Sequence, residues 1–235
     1  MKRGFTLSEV LITLGIVGVV AVLTVPSVMK NYRNRLYVSQ LQKVYSQISE
    51  ATVAIMRDEN VDNFFETSAI LEQVYGVDPN TNKGVGGFMK FMSNYFKVNK
   101  YNCLNSSPPC VLVEGETTEV YRSISGNNLG AFTVDDESYC VQTVNGASIC
   151  GVGLGSPQGG LMWFFVDVNG ISGPNIAGRD LFLMSVQSDG SVVDGFVASG
   201  DPSTPASECN SGTSIDTAAA GCLNAIIDAG WKMEY

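Results

Sequence analysis

Residues 4–26 read GFTLSEVLITLGIVGVVAVLTVP and are the stretch of the chain that is most informative about its fold. It is almost purely apolar from Val10 to Val25, with one acidic residue, Glu9, near its start. As a helix, Phe5 to Val25 extends roughly 30 Å, about the thickness of the hydrocarbon core of a bilayer. The sequence therefore predicts a membrane-spanning helix at the N-terminus.

Three other interpretations of this stretch are open: a buried helix of a soluble protein, a cleaved signal peptide and a plain signal anchor. A signal peptide usually has a shorter apolar region and a small-x-small cleavage site, whereas Val20-Ala21-Val22 lies inside the run. Glu9 argues against a plain anchor, because an ionisable residue inside a membrane helix costs about 2.5–3.5 kcal/mol. No cation lies within the run, so the partner we expect is a free amine created at Phe5 by cleavage after Gly4.

The stretch from Gly4 to Ile12 resembles the N-terminus of type IV prepilins and type II secretion pseudopilins. The resemblance covers about the first 26 residues. It implies that a prepilin peptidase cleaves after Gly4 on the cytoplasmic side and N-methylates Phe5. It also implies that Glu9 meets the terminal amine of a neighbouring subunit during assembly.

Gly18 and Pro26 fall where pilins tend to interrupt the first helix, and we count them among the assembly residues. Glycine is a poor helix former, and proline removes a backbone donor and clashes one turn back. A helix that loosens between them can stretch in a filament. The alternative is that both residues are simply tolerated in a membrane helix.

The orientation of the span is not settled by charge. Lys2 and Arg3 precede it, while Lys30, Arg33 and Arg35 follow it, so counting positive charges is ambiguous. The resemblance and the downstream cysteines favour an N-terminus inside and a globular head outside. Loss of Lys2 and Arg3 on cleavage takes the formal charge from −9 to −11.

Beyond the span, apolar residues between Tyr32 and Ile55 recur on one helical face. This spacing predicts one long helix from about Phe5 to Met56, with a separate amphipathic helix after Pro26 as the alternative. The expected organisation is a leader (1–4), a transmembrane and assembly half (5–29) and an amphipathic half (30–57) of the first helix, a variable connection (58–130), an antiparallel sheet (131–198) and a disulfide-closed C-terminal region (199–235).

From Ala131 onward the apolar pattern has period two, which is typical of strands. Asn145-Gly146 is a strong hairpin signal, and a turn there places Cys140 nearly opposite Cys150. Strands are expected at 139–144, 147–152, 161–168, 181–187 and 191–197. With the long helix covering one face, the predicted fold is α+β and type IV pilin-like, with a disulfide-bearing head.

The six cysteines all lie beyond the apolar stretch, and none forms a C-x-x-C pair. We expect three local disulfides formed in an oxidising compartment, with buried free thiols as the alternative. Six cysteines allow 15 pairings, so sequential pairing rests on proximity alone. The candidates are Cys103, Cys110, Cys140, Cys150, Cys209 and Cys222.

A calcium site is the one metal hypothesis that the sequence offers. Asp167, Asn169, Asn175 and Asp180 are oxygen donors in a glycine-rich stretch, and hard cations bind such loops. Asp-x-Asn-Gly resembles the start of an EF-hand loop, but the closing glutamate is missing; by analogy, some pseudopilins bind calcium near the sheet. The alternative is a structural loop with Asx turns. No cofactor is otherwise required.

Several function classes are disfavoured. Histidine is absent, which excludes Ser-His and Cys-His catalysis and His-ligated metals. A pI near 4.5 argues against a nucleic-acid binder. The glycines at 151–155 lack the following helix that phosphate binding needs, and an anchored hydrolase lacks a visible nucleophile and base.

The function predicted is a structural subunit, major or minor, of a type IV pilus or a type II secretion pseudopilus, and not an enzyme. The alternative is a tip or minor pilin that acts as an adhesin or ligand-binding module through loops 58–130 and 198–222. The expected partners are copies of itself, other pilins or pseudopilins, prepilin peptidase, the inner-membrane assembly machinery and the lipid bilayer. The chain would cross the inner membrane once before it enters a filament.

Overall fold

The computed structural model describes residues 6–72, 87–133, 139–154 and 161–235. The chain divides into two compact units, Met1–Leu36 and Tyr37–Tyr235. One helix, α1, runs from Leu7 to Glu59 and contributes to both units. The single long helix predicted from the sequence is therefore present, three residues longer at its C-terminal end than expected.

The C-terminal end of α1 is set by Asn60. Its backbone is left-handed, with φ 54°. The amide of Asn60 donates to the carbonyl of Arg57 at 3.2 Å, and the amide of Val61 donates to the carbonyl of Met56 at 3.0 Å. These two bonds form a Schellman motif, in which a left-handed residue satisfies the last carbonyls of a helix.

Within the larger unit, α1 buries one stripe of its surface. The stripe repeats every three or four residues, as a helix packed on one side requires. Its members are Tyr37, Val38, Leu41, Val44, Ile48, Ala51, Thr52 and Ile55. The apolar members belong to one core cluster with sheet residues such as Phe164, Phe182 and Met184, so the long helix packs against the sheet as predicted.

The sheet has six strands, all paired antiparallel, in the order β1-β4-β5-β6-β7-β8. Its strands are β1 (Val98–Lys100), β4 (Tyr139–Thr143), β5 (Ser148–Leu154), β6 (Leu161–Asp167), β7 (Leu181–Val186) and β8 (Val192–Asp194). A separate two-stranded sheet pairs β2 (Tyr121–Arg122) with β3 (Asn128–Gly130). The meander from β4 to β8 is the one predicted, whereas the edge strand β1 and the small sheet carry too few residues for a periodic signal.

The hairpin between β4 and β5 is confirmed. Gly146 has φ 89°, which glycine adopts without a steric cost. Cys140 and Cys150 are direct partners in the register of the two strands. The last strand, β8, is shorter than expected, because its pairing with β7 ends at Asp194 and not near Val197.

The centre of the sheet is covered on both faces, which the sequence analysis did not anticipate. All six residues of β7 are buried. Phe164 faces the cluster that contains α1, while Phe165 belongs to a second cluster with Tyr121, Leu183 and Ala219. Alternation along a strand sends neighbouring side chains to opposite faces, so consecutive aromatic residues fill two cores.

The remaining helices are short. They are α2 (Ser68–Leu71), α3 (Gly87–Tyr95), α4 (Ile215–Ala219) and α5 (Cys222–Asp228), with 3₁₀ turns at Phe64–Glu66, Cys103–Asn105 and Ala206–Glu208. The segment from Phe64 to Leu71 is thus a 3₁₀ turn followed by one α-helical turn.

Candidate functional site

The N-terminal end of α1 carries the residues that the sequence marks as functional. Gly4 and Phe5, the expected cleavage and methylation positions, lie outside the described residues. Thr6 and Glu9 are described, and they form a capping box. The Glu9 amide donates to Thr6 Oγ1 at 3.3 Å, and the Thr6 amide donates to Glu9 Oε2 at 2.8 Å. Thr-x-x-Glu before an apolar run is the pattern of this motif, and the sequence analysis overlooked it.

The capping box means that Glu9 has a local partner before any neighbouring subunit arrives. The Thr6 hydroxyl also donates to Oε2, at 2.8 Å. Among the described residues, no hydrogen bond reaches Oε1 of Glu9. One carboxylate oxygen is therefore engaged at the helix start, and the other is open to a further donor.

The surface of α1 in the first unit is apolar and exposed. Of the described part of the chain, α1 is the one helix whose length and composition suit a membrane crossing, and none of its most apolar window is buried. Two of its hydroxyl groups are satisfied internally: Thr13 donates to the carbonyl of Val10 and Thr24 to that of Val20, each at 2.9 Å. Such bonds lower the cost of placing a hydroxyl in lipid.

Gly18 and Pro26 both lie inside α1, which runs through them as one helix. A methyl group built on Gly18 would meet no atom of the described residues within 4 Å, so none of them requires a glycine there. Proline at position 26 leaves the carbonyl one turn earlier without its usual amide donor. Their role in assembly stays a prediction.

The six cysteines form three sequential disulfides, all in the larger unit. Cys103 is bonded to Cys110, Cys140 to Cys150 and Cys209 to Cys222, with Cα–Cα distances of 5.4, 4.0 and 4.4 Å. The first closes the 3₁₀ turn at Cys103–Asn105, the second crosses the β4–β5 hairpin, and the third ties the start of α5 to the preceding loop. The head therefore carries covalent links at three separate places.

The stretch from Asp167 to Asp180 brings two buried carboxylates together. The amide of Val168 donates to the carbonyl of Asp180 at 2.8 Å. Asp167 accepts from the Tyr121 hydroxyl at 2.8 Å, and Asp180 accepts from the amides of Asn175 and Ile176 at 2.8 and 2.7 Å. Burial, and secondly the charge of Asp180, raises the pKa of Asp167 well above its usual value; burial raises the pKa of Asp180 to about 6.

These contacts fit a structural loop better than a calcium site. Each oxygen of Asp180 already accepts from one backbone N–H group, so the loop is held by its own backbone. Asn169 and Asn175 each have a buried side-chain oxygen without a hydrogen bond, but no group of three or more acidic or cysteine residues that could hold a metal occurs in the described ranges. The calcium site stays an untested hypothesis, and a structural loop is the alternative that these contacts favour.

Asp194 is a third buried carboxylate, at the end of β8. Its two oxygens accept from the amides of Gly221 and Asn224 at 2.8 and 2.7 Å. Burial raises the pKa of Asp194 to about 7, although the bonds from these amides partly oppose the shift. Asp194 thus holds the start of α5 against the sheet, a role that no local pattern around it indicates.

The head also has an open groove beside α4, with a volume of about 550 Å³. Its lining includes the exposed ring of Phe196, the carboxylates of Glu208 and Asp216, and the hydroxyls of Thr204 and Thr213. Among the residues that the structure describes, neither lysine nor arginine lines it. The disulfide between Cys209 and Cys222 encloses most of the lining residues in sequence and restrains the segment that carries them.

Comparison with known proteins gives one result. Residues 1–25 match the family model described as the prokaryotic N-terminal methylation motif. No curated protein and no solved structure gave a significant match to the chain. The motif and the apolar helix together fit a single-pass inner-membrane anchor, and the motif supports a type IV pilin- or pseudopilin-type protein. At its N-terminus, then, this chain carries the prepilin-type cleavage and methylation signature.

Proposed function

We propose that this protein is a structural subunit of a type IV pilus or a type II secretion pseudopilus. Prepilin peptidase removes residues 1–4 and methylates the new terminus at Phe5. The mature chain then waits in the inner membrane, with its head outside, until the assembly machinery extracts it. The observation that carries the proposal is a single carboxylate, Glu9, at the start of an exposed apolar helix within a matched methylation motif.

Assembly would change the partner of Glu9. In the single chain, Oε2 of Glu9 caps the helix through Thr6. In the filament, the open Oε1 would meet the terminal amine of a neighbouring Phe5, and both charges would be neutralised away from water. The apolar side chains of the first unit, exposed in one chain, would pack against those of other subunits.

The decisive experiment separates the cap from the ion pair. Glu9→Gln keeps an oxygen that accepts from the Thr6 amide, since glutamine also closes a capping box, but it removes the charge. We expect Glu9→Gln to be processed and inserted normally and to form few or no filaments. Glu9→Val should behave in the same way.

Thr6→Val is the matched control. It removes the hydroxyl that caps the helix and should cost about 1 kcal/mol of helix stability, but it leaves the carboxylate charged. Filament yield by electron microscopy, with mass spectrometry of the mature N-terminus, reads out both variants. Normal filaments from Glu9→Gln would contradict the ion pair, and a mature protein that still begins at Met1 would contradict the whole proposal.

A second candidate function is a tip or minor subunit that binds a surface ligand. The groove beside α4 favours it, because its volume of about 550 Å³ is that of a small-molecule site and its lining mixes one exposed aromatic ring with hydroxyls and carboxylates. Copy number decides between the two. Immunogold labelling along the whole filament indicates a major subunit, whereas labelling confined to one end indicates a tip protein.

A further inference from the structure

Three cations follow the apolar part of α1 directly. Lys30, Arg33 and Arg35 are all exposed. The two ion pairs among the described residues, Arg57 with Asp58 and Lys90 with Glu72, do not include them. Beside them, Tyr32 is also exposed, at 64%. We call Lys30, Tyr32, Arg33 and Arg35 the collar.

The collar lies at the depth of a headgroup layer. At 1.5 Å per residue, Leu7 to Met29 extends about 33 Å, so it fills the hydrocarbon core of a bilayer, and the collar begins at the next residue. Lys30 to Arg35 spans a further 7.5 Å or so, close to the thickness of one headgroup layer, which is about 5–8 Å.

The collar surrounds the helix. With about 100° between successive residues, and Lys30 taken as zero, Arg33 lies near 300°, Arg35 near 140° and Tyr32 near 200°. The widest gap between the cations is therefore about 160°, and the tyrosine stands inside it. A single packing partner contacts one face of a helix, as at the buried stripe from Tyr37 to Ile55, whereas a lipid layer contacts all sides.

We propose that the collar binds anionic phospholipid headgroups of the leaflet on the head side while the chain is anchored. This rests on the proposed function, which leaves the mature chain in the membrane without Lys2 and Arg3. The remaining juxtamembrane cations then all lie on the head side, opposite to the usual bias toward the cytoplasm. Headgroup phosphates supply the charge that this arrangement needs, and a tyrosine among them suits the membrane interface.

The expected preference is substantial. Each cation near an anionic surface contributes about a fivefold gain in affinity, so three together set an upper limit of roughly 150-fold. Competition with free counterions and neutral lipids reduces this. For lipids retained by the mature full-length chain from vesicles of equal parts phosphatidylcholine and phosphatidylglycerol, we expect at least about a fivefold enrichment of phosphatidylglycerol.

The test is native mass spectrometry of the chain released from such vesicles. Lys30→Gln/Arg33→Gln/Arg35→Gln should bring the retained lipids close to the vesicle composition. The matched control, Lys43→Gln/Lys97→Gln/Lys232→Gln, removes the same charge from exposed positions of the larger unit and should leave the enrichment unchanged. If the triple collar variant fails to insert, Arg33→Lys/Arg35→Lys, which keeps the charge, should insert and retain the enrichment.

Two outcomes would overturn the proposal. One is an equal lipid composition for the wild-type chain and the collar variant; if association between chains is lost at the same time, the collar belongs to an acidic surface of a second copy. The other is the same loss of enrichment in the control, which would reflect total charge alone. These readouts use the mature chain but involve neither Glu9 nor filament formation, so this proposal and the ion pair of the proposed function can fail separately.

Discussion

The two halves of helix α1 place the same residue types in opposite surroundings. Leu14 and Ile16 in the first half are 63% and 60% exposed, whereas Leu41 and Ile48 in the second half are fully buried. The first half offers apolar side chains on every side, and the second offers one stripe to a sheet. The first half therefore presents a surface that suits lipid or other chains, while the second half is packed within its own unit.

The largest effect that tests this comparison is a core truncation. Ile48→Ala should lower the free energy of unfolding of the head by about 2–5 kcal/mol, because it leaves a cavity under the sheet. Ile16→Ala, the same change in the exposed half, should alter it by less than about 0.5 kcal/mol. Both tryptophans, Trp163 and Trp231, lie in the head, so urea unfolding followed by fluorescence in a mild detergent reports on the head alone. Equal losses of stability in the two variants would contradict the difference in burial between the two halves of α1.

The next effect concerns the covalent links of the head. Cys209→Ala/Cys222→Ala removes a link that closes a separation of 13 residues. The loss should cost about 3 kcal/mol, chiefly because the unfolded chain gains freedom. Reduction of the disulfides in the wild-type protein should also lower the unfolding midpoint of the head. Insertion of the first half of α1 into vesicles should not change. A head that is equally stable after reduction would show that the core alone supports it.

A smaller and pH-dependent effect comes from the buried carboxylates. The pKa of Asp194 is raised to about 7 and that of Asp180 to about 6 in the folded chain. A raised folded pKa means that the folded state holds protons that the unfolded state has already released, so stability falls as pH rises from about 4 to 7. Each group contributes a slope of at most about 1.4 kcal/mol per pH unit within that window.

Asp194→Asn tests whether this carboxylate contributes to the pH dependence of stability. The substitution should reduce the slope between pH 4 and 7 and cost about 1–3 kcal/mol at pH 5, because the amide nitrogen of asparagine cannot accept from a backbone N–H. Asp228→Asn, at an exposed position of α5, is the control and should leave the slope unchanged. Urea unfolding at several pH values measures both. A slope unaffected by Asp194→Asn would place the pH response elsewhere in the head.

The smallest effect is expected from calcium. Because backbone amides already occupy the oxygens of Asp180, we expect neither calcium nor a chelator to shift the thermal midpoint of the head. A ligand that binds the folded state alone raises that midpoint in proportion to its occupancy. A clear rise with calcium, lost in Asp167→Asn, would restore a metal site to the loop from Asp167 to Asp180.

The features that could be predicted without the structure are those encoded in short, contiguous stretches of sequence. An unbroken apolar run predicts a helix that suits an apolar environment, and asparagine followed by glycine predicts a hairpin turn. The methylation motif is likewise a contiguous stretch of sequence. The long helix, its exposed apolar half and the β4–β5 hairpin were predictable for that reason. Thr6 and Glu9 also form a local pattern, Thr-x-x-Glu, from which the capping box is predictable. The expectation of an ion pair between Glu9 and an amine did not include it.

The tertiary structure alone decided which polar residues are buried and what covers the second face of the sheet. Asp194 accepts from amides that lie 27 and 30 positions away, and Tyr121 reaches Asp167 across 46. Residues so far apart share no periodicity, so their contacts follow from chain topology. The loop at Asp167–Asp180 shows the consequence: its composition suits a cation, but its folded form directs backbone amides at the carboxylate of Asp180.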